Sequence, residues 1–295
     1  MLSLVRYSKI WVLIPAILAG VSLILFLIFG LKPGIDFTGG SMVQVQFTEQ
    51  TPTLSSVKDA LRDTEWSDVT VQVSGENQVI VRTKEINDDQ KASLLKIFSD
   101  KFGALEELRF DTIGPTIGNE LRQKAVWAVI IVMIGIVLYL AYAFRKISGP
   151  VSSWKFGACA VIALIHDVLI LIGVFVLLGI FSGVEIDTLF VVALLTVVGY
   201  SVHDTIVVFD RIRTILLKES ATFEEAADRG IRNTITRSVI TSLTTLFVLV
   251  SLLLFGGESI FYFILALSIG IAVGTYSSIF VATPLLVLWQ RAGKK

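Results

Sequence analysis

Two His-Asp dipeptides, His166-Asp167 and His203-Asp204, interrupt runs that otherwise carry no charge. In a bilayer such residues cost about 3 kcal/mol each on insertion scales, so they are functional candidates by default. Tyr200, Ser201 and Asp204 lie three or four residues apart, which puts them on one helix face. Thr234, Arg237, Thr241, Thr244 and Thr245 share a face of the following helix in the same way. If Asp204 and Arg237 meet in a low dielectric, they pair, and a proton arriving on the Asp breaks the pair. That makes a two-state element which a proton gradient can drive. The plainer alternative is a static ion pair that joins two helices. His166-Asp167 fits either a functional pair or one that sits near an aqueous edge or bonds to a neighbouring helix. A metal hydrolase built from both dipeptides is disfavoured. His and Asp do bind divalent metals, but neighbouring residues on a helix point about 100° apart, which makes joint ligation awkward. The reading is a proton relay through Asp204 and Arg237, supported by His203, His166, Asp167, Tyr200, Ser201 and Thr241. It includes no catalytic residue, no metal and no cofactor.

The elements that hold these groups are membrane spans. A membrane helix needs about 20 mostly apolar residues. Six such runs occur, at 10–31, 125–144, 156–181, 189–209, 238–255 and 260–289, the last long enough to tilt or to kink before Pro284. The mean hydropathy of +0.78 is far above that of a soluble domain. Lys plus Arg number 25 and Asp plus Glu number 25, a balance that argues against a general nucleic-acid binder. The lone Cys159 excludes an intramolecular disulfide framework and any multi-Cys metal site. The first run is read as a retained anchor, because it exceeds the 7–15 apolar residues of a signal peptide and no small-residue cleavage site follows. Arg6, Lys9, Arg145, Lys146, Lys155, Arg211, Arg213, Lys218, Arg229, Arg232, Arg291, Lys294 and Lys295 all fall on one side of the membrane. Loops 182–187 and 256–259 have no Lys or Arg. By the positive-inside rule both termini are cytoplasmic and the insert 32–124 is extracytoplasmic.

The insert reads as an α+β domain. Val43, Val45 and Phe47 alternate with Gln44 and Gln46, the mark of a half-buried strand. Leu54, Val57 and Leu61 follow at helical spacing; Val69, Val71 and Val73 alternate again. Ser74-Gly75-Glu76-Asn77 makes a turn into a return strand at 79–81. Asn87 and Gln90 suggest a helix cap before Leu94, Leu95, Phe98 and Phe102, and Leu108 with Phe110 closes the set as a strand. The order β-α-β-β-α-β is the ferredoxin-like motif. The insert has no His and no Cys, and its scattered carboxylates suit a solvated surface, so it binds rather than transforms. Ahead of it, Gly34-Ile35-Asp36-Phe37-Thr38-Gly39-Gly40 reads as a flexible exit from the bilayer. A phosphate loop there would need a following helix N-terminus, and a strand follows instead. In the last span, Gly270 and Gly274 with Thr275, Ser277 and Ser278 read as close helix packing. Between the fourth and fifth spans, within 211–236, Thr222 and Glu225 cap a short helix whose Phe223, Ala226, Ala227 and Ile231 form one apolar face. It reads as an amphipathic helix at the cytoplasmic surface or a docking surface for a partner.

Several of these segments resemble the SecD/SecF family of bacterial protein-export subunits. Gly34-Ile35-Asp36-Phe37-Thr38-Gly39-Gly40 is similar to its GLDFTGG signature. The run from Val198 through Tyr200, His203 and Asp204 to Arg211 and Arg213 resembles the fourth-helix signature of the SecF branch. Ala163-Leu164-Ile165-His166-Asp167-Val168 resembles its third-helix motif, and Thr236-Arg237-Ser238-Val239-Ile240-Thr241-Ser242-Leu243-Thr244-Thr245 its fifth-helix entry. The SecD branch is disfavoured, since it carries a much larger external region.

The resemblance implies a six-helix half of a resistance-nodulation-division core in the bacterial cytoplasmic (inner) membrane, with SecD as the other half of a heterodimer. It implies work beside the SecYEG translocon, with YajC and other accessory subunits as neighbours, on translocating preprotein chains and within membrane lipid, and with no nucleic acid. The proton-motive force would promote late steps of translocation, with Asp204 as the relay Asp and Arg237 as its partner. His203 stands where many members have Asn, which leaves proton and sodium both open as the coupling ion. The alternative is a subunit of a small-molecule or lipid exporter of the same superfamily, although one insert of this size is small for that role. The domains read as 1–31 (N-terminus and first span), 32–124 (external domain) and 125–295 (spans two to six with the cytoplasmic segment 211–236).

Overall fold

A computed structural model describes residues 7–48, 52–74, 77–144 and 153–292. Arg6, Arg145, Lys146, Lys294 and Lys295, used above for orientation, and Gly75 and Glu76 of the expected turn lie outside the described residues. In chain order, α1 (Ser8–Phe29) is followed by a single helical turn α2 (Ile35–Thr38), β1 (Gly40–Phe47), α3 (Leu54–Leu61), β2 (Thr70–Ser74), β3 (Gln78–Thr83), α4 (Asp88–Phe102) and β4 (Leu105–Ile113). Then come α5 (Pro115–Ala143), α6 (Ser153–Ser182), α7 (Thr188–Lys218), α8 (Phe223–Phe255), α9 (Glu258–Ser277), a π turn (Ser278–Ala282) and α10 (Thr283–Ala292). Contacts divide the chain into a helical unit, Met1–Leu31 with Trp127–Val184 and Leu189–Lys295, and an insert unit, Lys32–Val126 with Glu185–Thr188.

The insert unit is a four-stranded antiparallel sheet in the order β2-β3-β1-β4. The alternation in β1 points Val43, Val45 and Phe47 into a core with Val79 and Val81 of β3, Val57 and Leu61 of α3, and Leu94, Phe98 and Phe102 of α4. Strand periodicity of two and helical spacing of three to four meet in that one core. The Asn87–Gln90 pair forms the reciprocal cap expected: Gln90 N–H donates to Asn87 Oδ1 at 2.9 Å and Asn87 N–H to Gln90 Oε1 at 3.1 Å.

The segment 34–40 is no flexible exit. Gly34 N–H donates to Ile186 O and Ile186 N–H to Lys32 O, both at 2.8 Å, so 32–34 pairs with the α6–α7 connection. Arg82 Nε pairs with Glu185 at 2.9 Å. Asp36 Oδ2 accepts the backbone N–H of Thr188 at 2.9 Å, which satisfies an orphan donor at the start of α7. Gly39 and Gly40 adopt φ of +73° and +126°, and a Cβ on Gly39 would stand 2.7 Å from Pro115 Cα. Each glycine is there because a side chain has no room or no permitted backbone.

Among the described residues, six helices are long and apolar enough to cross a membrane, counting α9, the π turn and α10 as one span. The expected short amphipathic helix is not a separate element. It is the start of α8, which runs unbroken to Phe255: 223–255 has no proline, and its one glycine, Gly230, lies where Ile212 of α7 leaves no room for a Cβ. Its apolar face meets protein rather than lipid: Phe223, Ala226, Ala227 and Ile231 are buried with Ile212 and Ile215 of α7. Thr222 and Glu225 do form the expected capping box. The π turn lies just before Pro284, whose missing N–H leaves the ladder open there. Thr283 Oγ1 donates to Ser278 O at 3.3 Å across the widened turn. Large apolar side chains on α1, α5 and α8 stay exposed, among them Leu27, Trp127, Phe247 and Leu254. Within a bilayer those faces meet lipid or another membrane helix.

Candidate intramembrane polar site

Four helices bring a set of small hydroxyls around two carboxylates. On α7, Ser201 and Asp204 share a buried face, three residues apart. On α8, Ser238 and Ser242 lie four apart on the buried stripe that begins at Thr234. On α6, His166 and Asp167 are buried together. On α9, Gly270 and Gly274 face Val197 and Ser201 of α7, and a Cβ on Gly274 would stand 3.0 Å from Ser201 Cβ. The GxxxG spacing thus joins two helices of this same chain. It carries Thr275, Ser277 and Ser278 into the polar cluster.

Asp204 accepts from Ser238 Oγ at 2.5 Å on Oδ1 and from Ser278 Oγ at 2.7 Å on Oδ2. Asp167 Oδ2 accepts from Ser201 Oγ at 2.5 Å and from Ser277 Oγ at 2.7 Å, while His166 Nδ1 lies 2.9 Å from Oδ1. A second chain of hydroxyls runs beside them. Tyr200 OH lies 3.0 Å from Ser242 Oγ, which lies 2.5 Å from Thr275 Oγ1, and Thr275 donates to Ile271 O at 2.8 Å. The hydroxyl of serine both donates and accepts, so each carboxylate has neutral partners able to bond either of its charge states.

The expected Asp204–Arg237 pair is not made in this structure. Ser238 takes the position facing Asp204, and its neighbour Arg237, turned by about 100° on the helix, is exposed. Among the described residues Arg237 forms no ion pair. His203 and Thr241 are exposed for the same rotational reason, beside the buried Asp204 and Ser242. Tyr200, Ser201, His166 and Asp167 do enter the cluster. Ser238, Ser242, Thr275, Ser277 and Ser278 are the partners that sequence reasoning did not assign. Their signal was the run of hydroxyl residues after the glycine pair and the four-residue spacing on α8. Among the described residues no group of three or more His, Cys, Asp or Glu could hold a metal ion.

Residues 93–292 match the family model described as protein export membrane protein SecD/SecF, C-terminal, and 24–51 match the SecD/SecF GG motif. The chain belongs to the SecD/SecF family. SecD/SecF proteins form part of the resistance-nodulation-division superfamily and are non-catalytic translocase subunits. Among curated members, the protein translocase subunit SecF of Thermobaculum terrenum is 44% identical over 98% of this chain and 94% of its own length. SecF of Helicobacter pylori strain 26695 is 37% identical over 97% of this chain and 87% of its own. A crystal structure of SecDF, a translocon-associated membrane protein from Thermus thermophilus, superposes with a TM-score of 0.86 at 33% identity. It covers 98% of this chain, and the chain spans about two fifths of that SecDF chain, 39%. SecDF in its super-membrane-facing form matches with a TM-score of 0.66 at 34% identity. Both signature regions of this SecD/SecF member therefore carry geometry: the GG-motif stretch holds the Asp36 and Gly39–Gly40 contacts, and the C-terminal stretch holds the whole polar cluster.

Proposed function

We propose that this chain is a SecF-like accessory subunit of the Sec protein translocase. Working with SecD, it uses the proton-motive force to promote late steps of preprotein translocation across the bacterial cytoplasmic membrane. The observation that carries this reading is the pair of buried carboxylates, Asp167 and Asp204, held within membrane-spanning helices by serine hydroxyls. A static ion pair would fix one charge state; serine accommodates both. In this reading Asp204 carries the proton, and the arrangement described is the one in which Arg237, exposed on α8, is not engaged with it. Asp167, His166, Tyr200 and Ser201 support the path, and His203 and Thr241 flank it on the open side.

The family and the exposed helix faces support a second six-helix half as partner, SecD, with SecYEG and its accessory subunits alongside. The distribution of Lys and Arg supports cytoplasmic termini and an extracytoplasmic insert at 32–124. The sheet order β2-β3-β1-β4, with α3 and α4 packed into its core, supports a ferredoxin-like insert. The test is completion of preprotein translocation by the reconstituted SecD-containing complex and translocase, with and without an imposed proton gradient. Asp204→Asn, normally assembled, should remove the benefit of the gradient. Persistence of that benefit would assign the ion path to the partner.

A further inference from the structure

Two consecutive serines reach both carboxylates. Ser277 Oγ lies 2.7 Å from Asp167 Oδ2 and 3.1 Å from Gly274 O, while Ser278 Oγ lies 2.7 Å from Asp204 Oδ2 and 3.0 Å from Thr275 O. Both side chains are fully buried, and so is Asp167. Each hydroxyl therefore has one hydrogen and two acceptors: a carboxylate on a neighbouring helix, and the carbonyl three residues back on its own. The two serines also stand where α9 passes into the π turn, a stretch whose hydrogen-bond ladder is already loosened before Pro284.

Resting on the proposed relay, we propose that Ser277 and Ser278 are a paired hydroxyl toggle which links the charge states of Asp167 and Asp204 to each other and to the α9–π–α10 span. With Asp204 ionised, Ser278 donates to it. When Asp204 takes one proton and becomes neutral, its new O–H donates to Ser278 Oγ, and the Ser278 hydrogen turns to Thr275 O. No heavy-atom bond is made or broken. Ser277 does the same between Asp167 and Gly274 O. Because the serines are adjacent on one backbone, the state of either carboxylate biases the turn that both share. Ser277 and Ser278 are positioning residues, acting through the two carboxylates.

Within four residues of the clustered side chains, the other titratable or charged groups are His166 on α6, Tyr200 and His203 on α7, Arg237 on α8 and Tyr276 on α9; α1 has no charge beyond Lys9 and α10 none beyond Arg291. Of these His166 alone bonds a carboxylate of the cluster, and His203 and Arg237 are exposed. The linkage between Asp167 and Asp204 accordingly runs through hydroxyls.

Threonine and valine at position 278 have the same shape and differ by the hydroxyl, so packing costs cancel between them. The assay is gradient-driven translocation by the complete, reconstituted complex as a function of pH, with gradient-independent translocation and Asp204→Asn measured in parallel. Ser278→Thr should keep the wild-type pH profile. Ser278→Val should displace its midpoint and lower the gradient benefit at least tenfold. Asp167→Asn should displace the midpoint in the Ser278→Thr background and leave it unmoved in the Ser278→Val background. If Ser278→Val fails to assemble, Ser277→Ala and Ser278→Ala are compared with wild type on the same readout, and unmoved profiles overturn the toggle. Equal profiles for Ser278→Thr and Ser278→Val, with Asp204→Asn inactive, overturn the toggle while leaving the relay. An active Asp204→Asn overturns the relay itself and the toggle with it.

Discussion

The carboxylate of Asp36 accepts the backbone N–H of Thr188 at 2.9 Å, across 152 residues of chain. Both residues belong to the insert unit, and the bond satisfies the first backbone donor of α7. An acceptor at a helix N-terminus satisfies an orphan donor, and a negative charge there also complements the helix dipole. Replacing a capping Asp with Ala costs about 1 kcal/mol. Asp36→Ala should therefore speed amide exchange in the first turn of α7 several-fold, with Asp36→Asn intermediate, measured by hydrogen–deuterium exchange on the reconstituted protein. Unchanged exchange in both variants would show that the cap carries no stability.

Glu185 supplies a pH dependence of known sign. Burial pushes its carboxyl above the ordinary value of 4.5, and the nearby Arg82 and Lys32 cations pull it back only in part. The folded insert unit then holds the proton more tightly than the unfolded chain. Its contribution to stability is complete below pH 4.5 and is lost as pH rises through the raised folded value. Glu185→Gln should flatten that slope in the window just above 4.5. The readout is the thermal transition of the insert within the full-length protein, followed by limited proteolysis. A slope identical in wild type and Glu185→Gln would contradict the assignment.

The glycine pair on α9 should rank in a definite order. A Cβ at Gly270 would overlap the Val197 side chain, whereas one at Gly274 meets Ser201 Cβ at 3.0 Å, a contact that a small shift relieves. Overpacking of this kind costs about 1–3 kcal/mol. Gly270→Ala should destabilise the helical unit more than Gly274→Ala, measured by unfolding in mixed detergent titrations. The reverse order would mean that α9 does not approach α7 as described.

The insert was largely legible from sequence, because a period of two in β1, β2 and β3 and an Asn87–Gln90 cap are local signals that tertiary packing did not override. The spans were legible as apolar runs, but not their ends. Hydropathy marks where lipid begins, whereas a helix continues as long as its backbone bonds do; α8 starts at Phe223, well before its apolar stretch. Arg237 and Ser238 lie on neighbouring stripes of that helix, and residue chemistry favoured the Arg. Packing chose the serine, whose small side chain fits between α7 and α8 where a guanidinium would need more room. Ser277 and Ser278 were hidden for a related reason, since small hydroxyl residues after a glycine pair look the same whether they pack or bind. In sequence, the signature at 34–40 looks loose because its glycines permit many conformations; the partners that fix it, 185–188, stand far along the chain.

In the proposed relay, Asp204 changes charge inside the membrane. Infrared difference spectroscopy between acidic and alkaline pH, on the complex reconstituted with its SecD partner, reads carboxylic-acid C=O groups directly. A proton-carrying Asp204 should give a protonated-carboxyl band that is present in wild type, absent in Asp204→Asn, and shifted in Ser278→Val, because the hydroxyl bonded to it is gone. A spectrum of Asp204→Asn that matches wild type would contradict it, since Asp204 would then keep one charge state throughout.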